Sequence, residues 1–279
     1  MFHSFIAPVF FYASPVWALD YYKYLEKFHI IFLRKVLHIE RTVPGYAIRS
    51  ETNRFQLFPF FLKCLFKFYL RILNTDDDNI KFLFQLISNQ NGSLSTKNVS
   101  WYQKFVKIIQ SYGISTLLLN STEDNCKHAY SLMMNSALSQ SVIKDQDSIL
   151  NSTYHYWYQN MLHFPSSSNI ITTNTNLNIK RTLIQIRLNY NSLLIGNVYI
   201  DFSKKCYWCK SESFNIYHIL IECPKIEEAQ CKFKLKEIFD LSQEENFRTN
   251  LEKIPLCKMY NIHNFFVHIL KILKYDVVN

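Results

Sequence analysis

Apolar residues recur at helical spacing along most of this chain. Behind Asp20, a residue suited to capping a helix, Leu25, Phe28, Phe32 and Val36 share one face of a helix reaching about residue 37. Lys23, Lys27 and Arg34 fall on another face. Val43-Pro44-Gly45 interrupts this helix, and a second begins near Phe60, after Pro59. It carries Lys63, Lys67 and Arg71 at four-residue steps, a single polar stripe on an amphipathic helix. Two readings of these basic stripes stand side by side: the solvated face of a packed helix, or a surface for a nucleic-acid backbone.

Residues 74–79 follow as a polar turn. Its three aspartates read as solvated, because no apolar hairpin presents them as a two-metal site would require. Trp101, Phe105, Ile108 and Tyr112 return to helical spacing before Gly113, which suits a helix end. Tyr154, Tyr156, Trp157 and Tyr158 read as core, or as a stacking platform if exposed. Residues 180–188 read as a helix with Lys180 and Arg187 on one face. The clearest pattern comes last: Ile262, Phe265, Phe266, Ile269, Leu270 and Leu273 form a buried stripe.

This pattern predicts a mainly α fold. Polar stretches at 89–100 and 166–178 divide it into a helical region 1–88, a helical linker region 89–178, and a C-terminal region 179–279. With only 4 glycines in the chain, glycine-rich phosphate loops and tight hairpin turns are nearly excluded. The apolar run at 5–19 contains Pro8 and Pro15 and is too short to span a bilayer, so no membrane is expected as a partner. Catalytic signatures for nucleotide, serine-hydrolase or metalloprotease chemistry are missing, and no small-molecule substrate is expected.

Charge and cysteines sharpen the picture. The formal net charge of +9 favours a polyanionic partner, RNA or DNA. The 7 cysteines are odd in number and mostly irregular in spacing, which points to reduced thiols in an intracellular setting, cytoplasmic or nuclear. The exception is Cys206, Cys209, His218 and Cys223, spaced C-x2-C-x8-H-x4-C. Three thiolates and an imidazole complete a tetrahedral set for structural Zn2+ and leave no open position for catalysis. On a regular α-helix, residues five apart lie about 140° from each other, so His218 and Cys223 cannot both ligate from one α-helical face. Pro224 stops the helix before Cys223. Cys231 is an alternative ligand. Three thiolates and Zn2+ sum to about −1, so nucleic-acid contacts must come from Lys204, Lys205 and Lys210, with Tyr207 or Trp208 stacking on a base.

Tyr12-Ala13-Ser14-Pro15-Val16-Trp17, Phe32-Leu33-Arg34-Lys35-Val36-Leu37 and Val43-Pro44 resemble the region after the polymerase palm in reverse transcriptases of LINE-type, non-LTR retrotransposons, with Ala13 where that family usually has Gly. Arg181, Leu183, Arg187 and Leu188, followed by the Cys-Cys-His-Cys set and its His-x4-Cys-Pro ending, resemble that family's C-terminal module. The eight-residue spacer separates it from the retroviral knuckle.

The resemblance implies a helical thumb-like bundle, a helical linker region, a small zinc-binding module and C-terminal helices. It implies a fragment of the parent polymerase that binds RNA or DNA through Lys180, Arg181, Arg187 and the basic residues already named, is not itself an enzyme, and has the upstream polymerase region as a further partner. The alternative is a helical structural or interaction protein, or a remnant without selected activity.

Overall fold

The computed structural model describes residues 2–89, 100–115, 123–153, 175–189, 191–239 and 255–278. Residues 90–99 of the expected linker at 89–100, the aromatic cluster at 154–158 and most of the polar stretch at 166–178 lie outside them. The described residues are mainly helical, with one two-stranded sheet among them. Packing divides the chain into two units, each discontinuous in sequence: Met1–His29 with Phe55–Lys144, and Ile30–Arg54 with Asp145–Asn279. The expected consecutive regions 1–88, 89–178 and 179–279 are therefore not the packing units. Polar stretches mark where the chain leaves a core, but say nothing about which segments meet inside it.

In the first unit the Phe58–Leu73 helix buries Phe61, Leu62, Leu65, Phe66 and Tyr69. Phe105 and Ile109 of the Trp101–Ser111 helix and Ala129, Met133 and Ala137 of the Glu123–Leu150 helix join four of these, Leu62, Leu65, Phe66 and Tyr69, in one core. Burial pushes the Tyr69 phenol well above its ordinary value. Pro59 sits in the first turn of its helix, where a missing N–H costs nothing, so the helix starts at Phe58 rather than near Phe60. Lys63, Lys67 and Arg71 are exposed on its far side.

The Trp101–Ser111 helix is capped by Ser100, whose Oγ accepts from the Gln103 N–H at 3.3 Å. Ser100→Ala is expected to cost about 1 kcal/mol, read as a lower urea midpoint; an unchanged midpoint would show that the cap contributes nothing. Gly113, at φ +76°, receives the chain beyond the helix end.

The Ser14–Leu37 helix contributes residues to both units. It begins six residues before the expected cap at Asp20, because Pro15 is tolerated in a first turn. Asp20 instead pairs with Lys104 at 2.7 Å. The expected apolar face is also displaced: Ile30, Leu33 and Leu37 are buried while Phe28 is 52% exposed. Residues 28–37 are apolar on several faces at once, so periodicity alone does not select the one that packs.

The Leu177–Leu188 helix is central to the second unit, with every residue from 182 to 188 buried. It packs against the Gly45–Thr52 and Leu256–Val278 helices and a hairpin of β1 (Ser192–Ile195) and β2 (Val198–Asp201). The hairpin corrects the near-exclusion of tight turns. Its loop is Gly196-Asn197, with Gly196 at φ +61°, and Leu193 pairs with Ile200. Gln185 fastens it to the helix: the side-chain Nε2–H donates to the Leu194 carbonyl at 3.0 Å and Oε1 accepts from the Leu194 N–H at 2.7 Å.

Among the described residues two buried ion pairs lie in this unit. Arg49 makes two hydrogen bonds of 2.6 Å to the two oxygens of Asp145. Arg187 Nε and Nη2 each lie 2.7 Å from Glu51 Oε1, with both side chains essentially inaccessible. Arg187 is thus corrected from a nucleic-acid contact to an internal one. On a helix buried nearly all round, the cation must find its counter-charge within the protein. The final helix follows its expected pattern, with Ile262, Phe265, Phe266 and Ile269 inaccessible to solvent.

Candidate metal centre

The site forms where the hairpin delivers the chain into a tight turn. The Cys206 N–H donates to the Ser211 carbonyl at 2.9 Å, and the Cys206 carbonyl accepts from the Lys210 N–H at 3.0 Å. Lys210 has φ +61°, and this left-handed residue reverses the chain so that Cys206 and Cys209 face the same space. Phe214 supports the turn through edge-on contacts with Tyr207 and Phe202, at centroid distances of 5.6 and 5.2 Å.

The other half is the π-helical turn His218–Glu222. Asn215 Oδ1 accepts from the His218 N–H at 2.7 Å, and the Cys223 N–H donates to the His218 carbonyl at 2.8 Å. This i→i+5 bond brings into one wide turn two residues that an α-helix would point apart. Cys223 itself is extended, at φ −66° and ψ 113°, ahead of Pro224. The expected helix end is present, and the turn before it is wider than an α-turn.

Ligand atoms of Cys206, Cys209, His218 and Cys223 all lie within 4.8 Å of one another, so the four can hold a metal ion. Cys206 Sγ is 3.8 Å from Cys223 Sγ, and Cys209 Sγ is 3.2 Å from His218 Nε2. Glu222 Oε2 lies 3.6 Å from His218 Nδ1, which leaves Nε2 directed at Cys209. Burial raises the Cys206 thiol above its ordinary value and pushes Cys223 up to about 12. At Cys209 burial also raises the pKa, but hydrogen bonds from the Ser211 backbone and the neighbouring thiols outweigh it and lower the value. A metal ion binds the thiolate form, so loading this site would release the thiol protons. Cys231 is exposed and lies outside the cluster, so the alternative ligand is not supported.

Around the cluster, Lys204, Lys205 and Lys210 are exposed. Lys205 pairs with Glu212 at 2.9 Å and Lys210 donates to the Tyr207 carbonyl at 3.1 Å. Trp208 is half-buried, and its indole N–H is closed off without an acceptor among the described residues. Lys180 and Arg181 are half-buried on the central helix, where Arg181 Nε donates to the Val36 carbonyl at 2.5 Å. Lys63, Lys67 and Arg71 belong to the first unit. Glu222 went unread, although its i+4 spacing from His218 was a usable signal. Lys225 and Lys232 were also missed, because they gain meaning only when the final helix packs beside them. No family model, curated protein or solved structure matches the chain.

Proposed function

We propose that this chain is a zinc-anchored nucleic-acid-binding part of a LINE-type, non-LTR reverse transcriptase, binding RNA or DNA without a polymerase site of its own. The observation that carries the reading is the convergence of three sulfurs and one imidazole nitrogen within 4.8 Å. Two sulfurs held at about 2.3 Å from zinc in a tetrahedron sit roughly 3.8 Å apart, and the 3.8 Å between Cys206 and Cys223 fits that spacing. The ion would supply a structural cross-link, with all four positions taken by protein.

The chain's own side chains would then do the binding. Lys204 and Lys210 are exposed and have no carboxylate within ion-pair distance among the described residues, which suits phosphate contacts. Phe5, Val9, Tyr12 and Val16 are all strongly exposed. These exposed apolar side chains support a further contact with the upstream region of the parent polymerase. Among the described residues no helix is long and apolar enough to cross a membrane.

Native mass spectrometry is expected to find one zinc per chain, lost in His218→Ala. Affinity for single-stranded RNA is expected to fall steeply between about 50 and 200 mM salt. Absence of zinc would overturn the anchor, and absent or salt-independent binding would overturn the nucleic-acid reading.

A further inference from the structure

Beside the metal cluster, three elements of the second unit enclose a cleft of about 540 Å3. The metal-binding turn contributes Tyr207, Trp208 and Lys210. Lys225, Ile226, Ala229 and Lys232 come from the segment formed by Pro224–Ile226 and Glu227–Lys232, the last three at three-residue steps. His268, Ile272 and Leu273 close it from the final helix. Ile226 and Ala229 are buried and Leu273 packs on the core, so these groups make an apolar lining, with the two aromatic rings on one side.

The charges are one-sided. Lys210, Lys225 and Lys232 are exposed, and among the described residues none has a carboxylate within ion-pair distance. Lys232 Nζ instead lies 5.8 Å from the centre of the Phe233 ring. Among the described residues Glu228 is the single carboxylate lining the cleft, so three lysines against one acid leave a surplus of positive charge there. An apolar and aromatic lining beside unneutralised ammonium groups suits a ligand that joins a planar ring to an anion. A duplex buries its base faces in the stack and cannot offer a ring, whereas a single strand can.

We propose that this cleft takes one unpaired nucleotide of a single-stranded nucleic acid, with its base against Trp208 and the apolar lining and its flanking phosphates on Lys225 and Lys232. The proposal rests on the nucleic-acid reading and specifies where and in what form the strand is held. It also makes strand binding conditional on the metal ion, because Tyr207, Trp208 and Lys210 stand on the turn that Cys206 and Cys209 fix.

The test compares the full, metal-loaded chain with Lys225→Ala/Lys232→Ala and, as a charge-matched control, Lys81→Ala/Lys107→Ala, two exposed lysines that do not line the cleft. The probe is a fluorescein-labelled oligouridylate dodecamer, alone and annealed to its complement, and metal content is followed by native mass spectrometry. The cleft variant is expected to keep its metal, to bind the single strand more weakly than the control variant does, and to lose about 1.4 from the slope of log affinity against log salt, roughly 0.7 for each phosphate contact. Intrinsic fluorescence is expected to be quenched by the single strand in the wild type and not in Trp208→Phe. Trp208→Ala is expected to weaken binding about tenfold.

Wild-type binding that is unchanged in the cleft variant, or equally reduced in the control, would overturn the cleft and leave the nucleic-acid reading standing. Equal affinity for single strand and duplex would overturn it as well. No binding by the wild type would overturn both.

Discussion

Stripping the metal from the loaded protein with a chelator is expected to open the segment at residues 202–226, seen as faster backbone hydrogen exchange across it. The ligands are not held on a detachable finger. Cys206 and Cys223 belong to the same buried core as Phe214, Ile219, Leu220 and the final helix residues Phe265 and Phe266. Loss of the ion removes a cross-link worth on the order of 10 kcal/mol in isolated zinc fingers, an upper bound for a site that a larger core also supports. The disturbance should therefore pass into the final helix, lowering the melting temperature of the whole unit. His218→Ala should reproduce the effect without chelator. Exchange rates unaffected by metal would mean that the four side chains pack as an ordinary reduced core.

A comparable loss is expected from Arg187→Ala, at about 3–5 kcal/mol in urea denaturation. The substitution strands the Glu51 carboxylate, whose side chain is 1% exposed, away from both water and its counter-charge. Removing both charges separates that penalty from the value of the pair. Arg187→Met with Glu51→Leu should recover most of the lost stability, because burying an ion pair gains little over burying apolar groups of similar size. A double variant as unstable as Arg187→Ala would point to packing rather than charge. An Arg187→Ala protein of normal stability would mean that the pair is not closed in solution.

These two sites differ in how far the sequence reveals them. The four metal ligands fall within 18 residues, and their spacing was enough to group them. The stripe from Ile262 to Leu270 was equally legible, because a single face of that helix is apolar. Arg187 was not. Its partner lies 136 residues earlier, and a basic residue on a helix reads as solvent-facing until the tertiary structure places it. Phe28 and Ile30 show a second limit: where a helix is apolar on several faces, only packing selects the buried one. Gly196-Asn197 was a turn signal that the scarcity of glycine obscured, since one glycine at the right position suffices for a hairpin. The lysine-rimmed cleft depends on three segments meeting, and no local pattern announces such a meeting.

The internal pair of Glu51 and Arg187 also bears on how the protein is made. The two are separated by 136 positions, and ribosomes add about 5–20 residues per second. Glu51, on the largely buried Gly45–Thr52 helix, therefore waits roughly 7–27 seconds for Arg187 to be synthesised. Until residue 145 is made, Ala47 and Ile48, which end up wholly inaccessible, have nothing to pack on within their own unit except residues 30–54. Nascent chains stalled before residue 177 should bind a holdase chaperone through this segment, and chains extended past the final helix should release it.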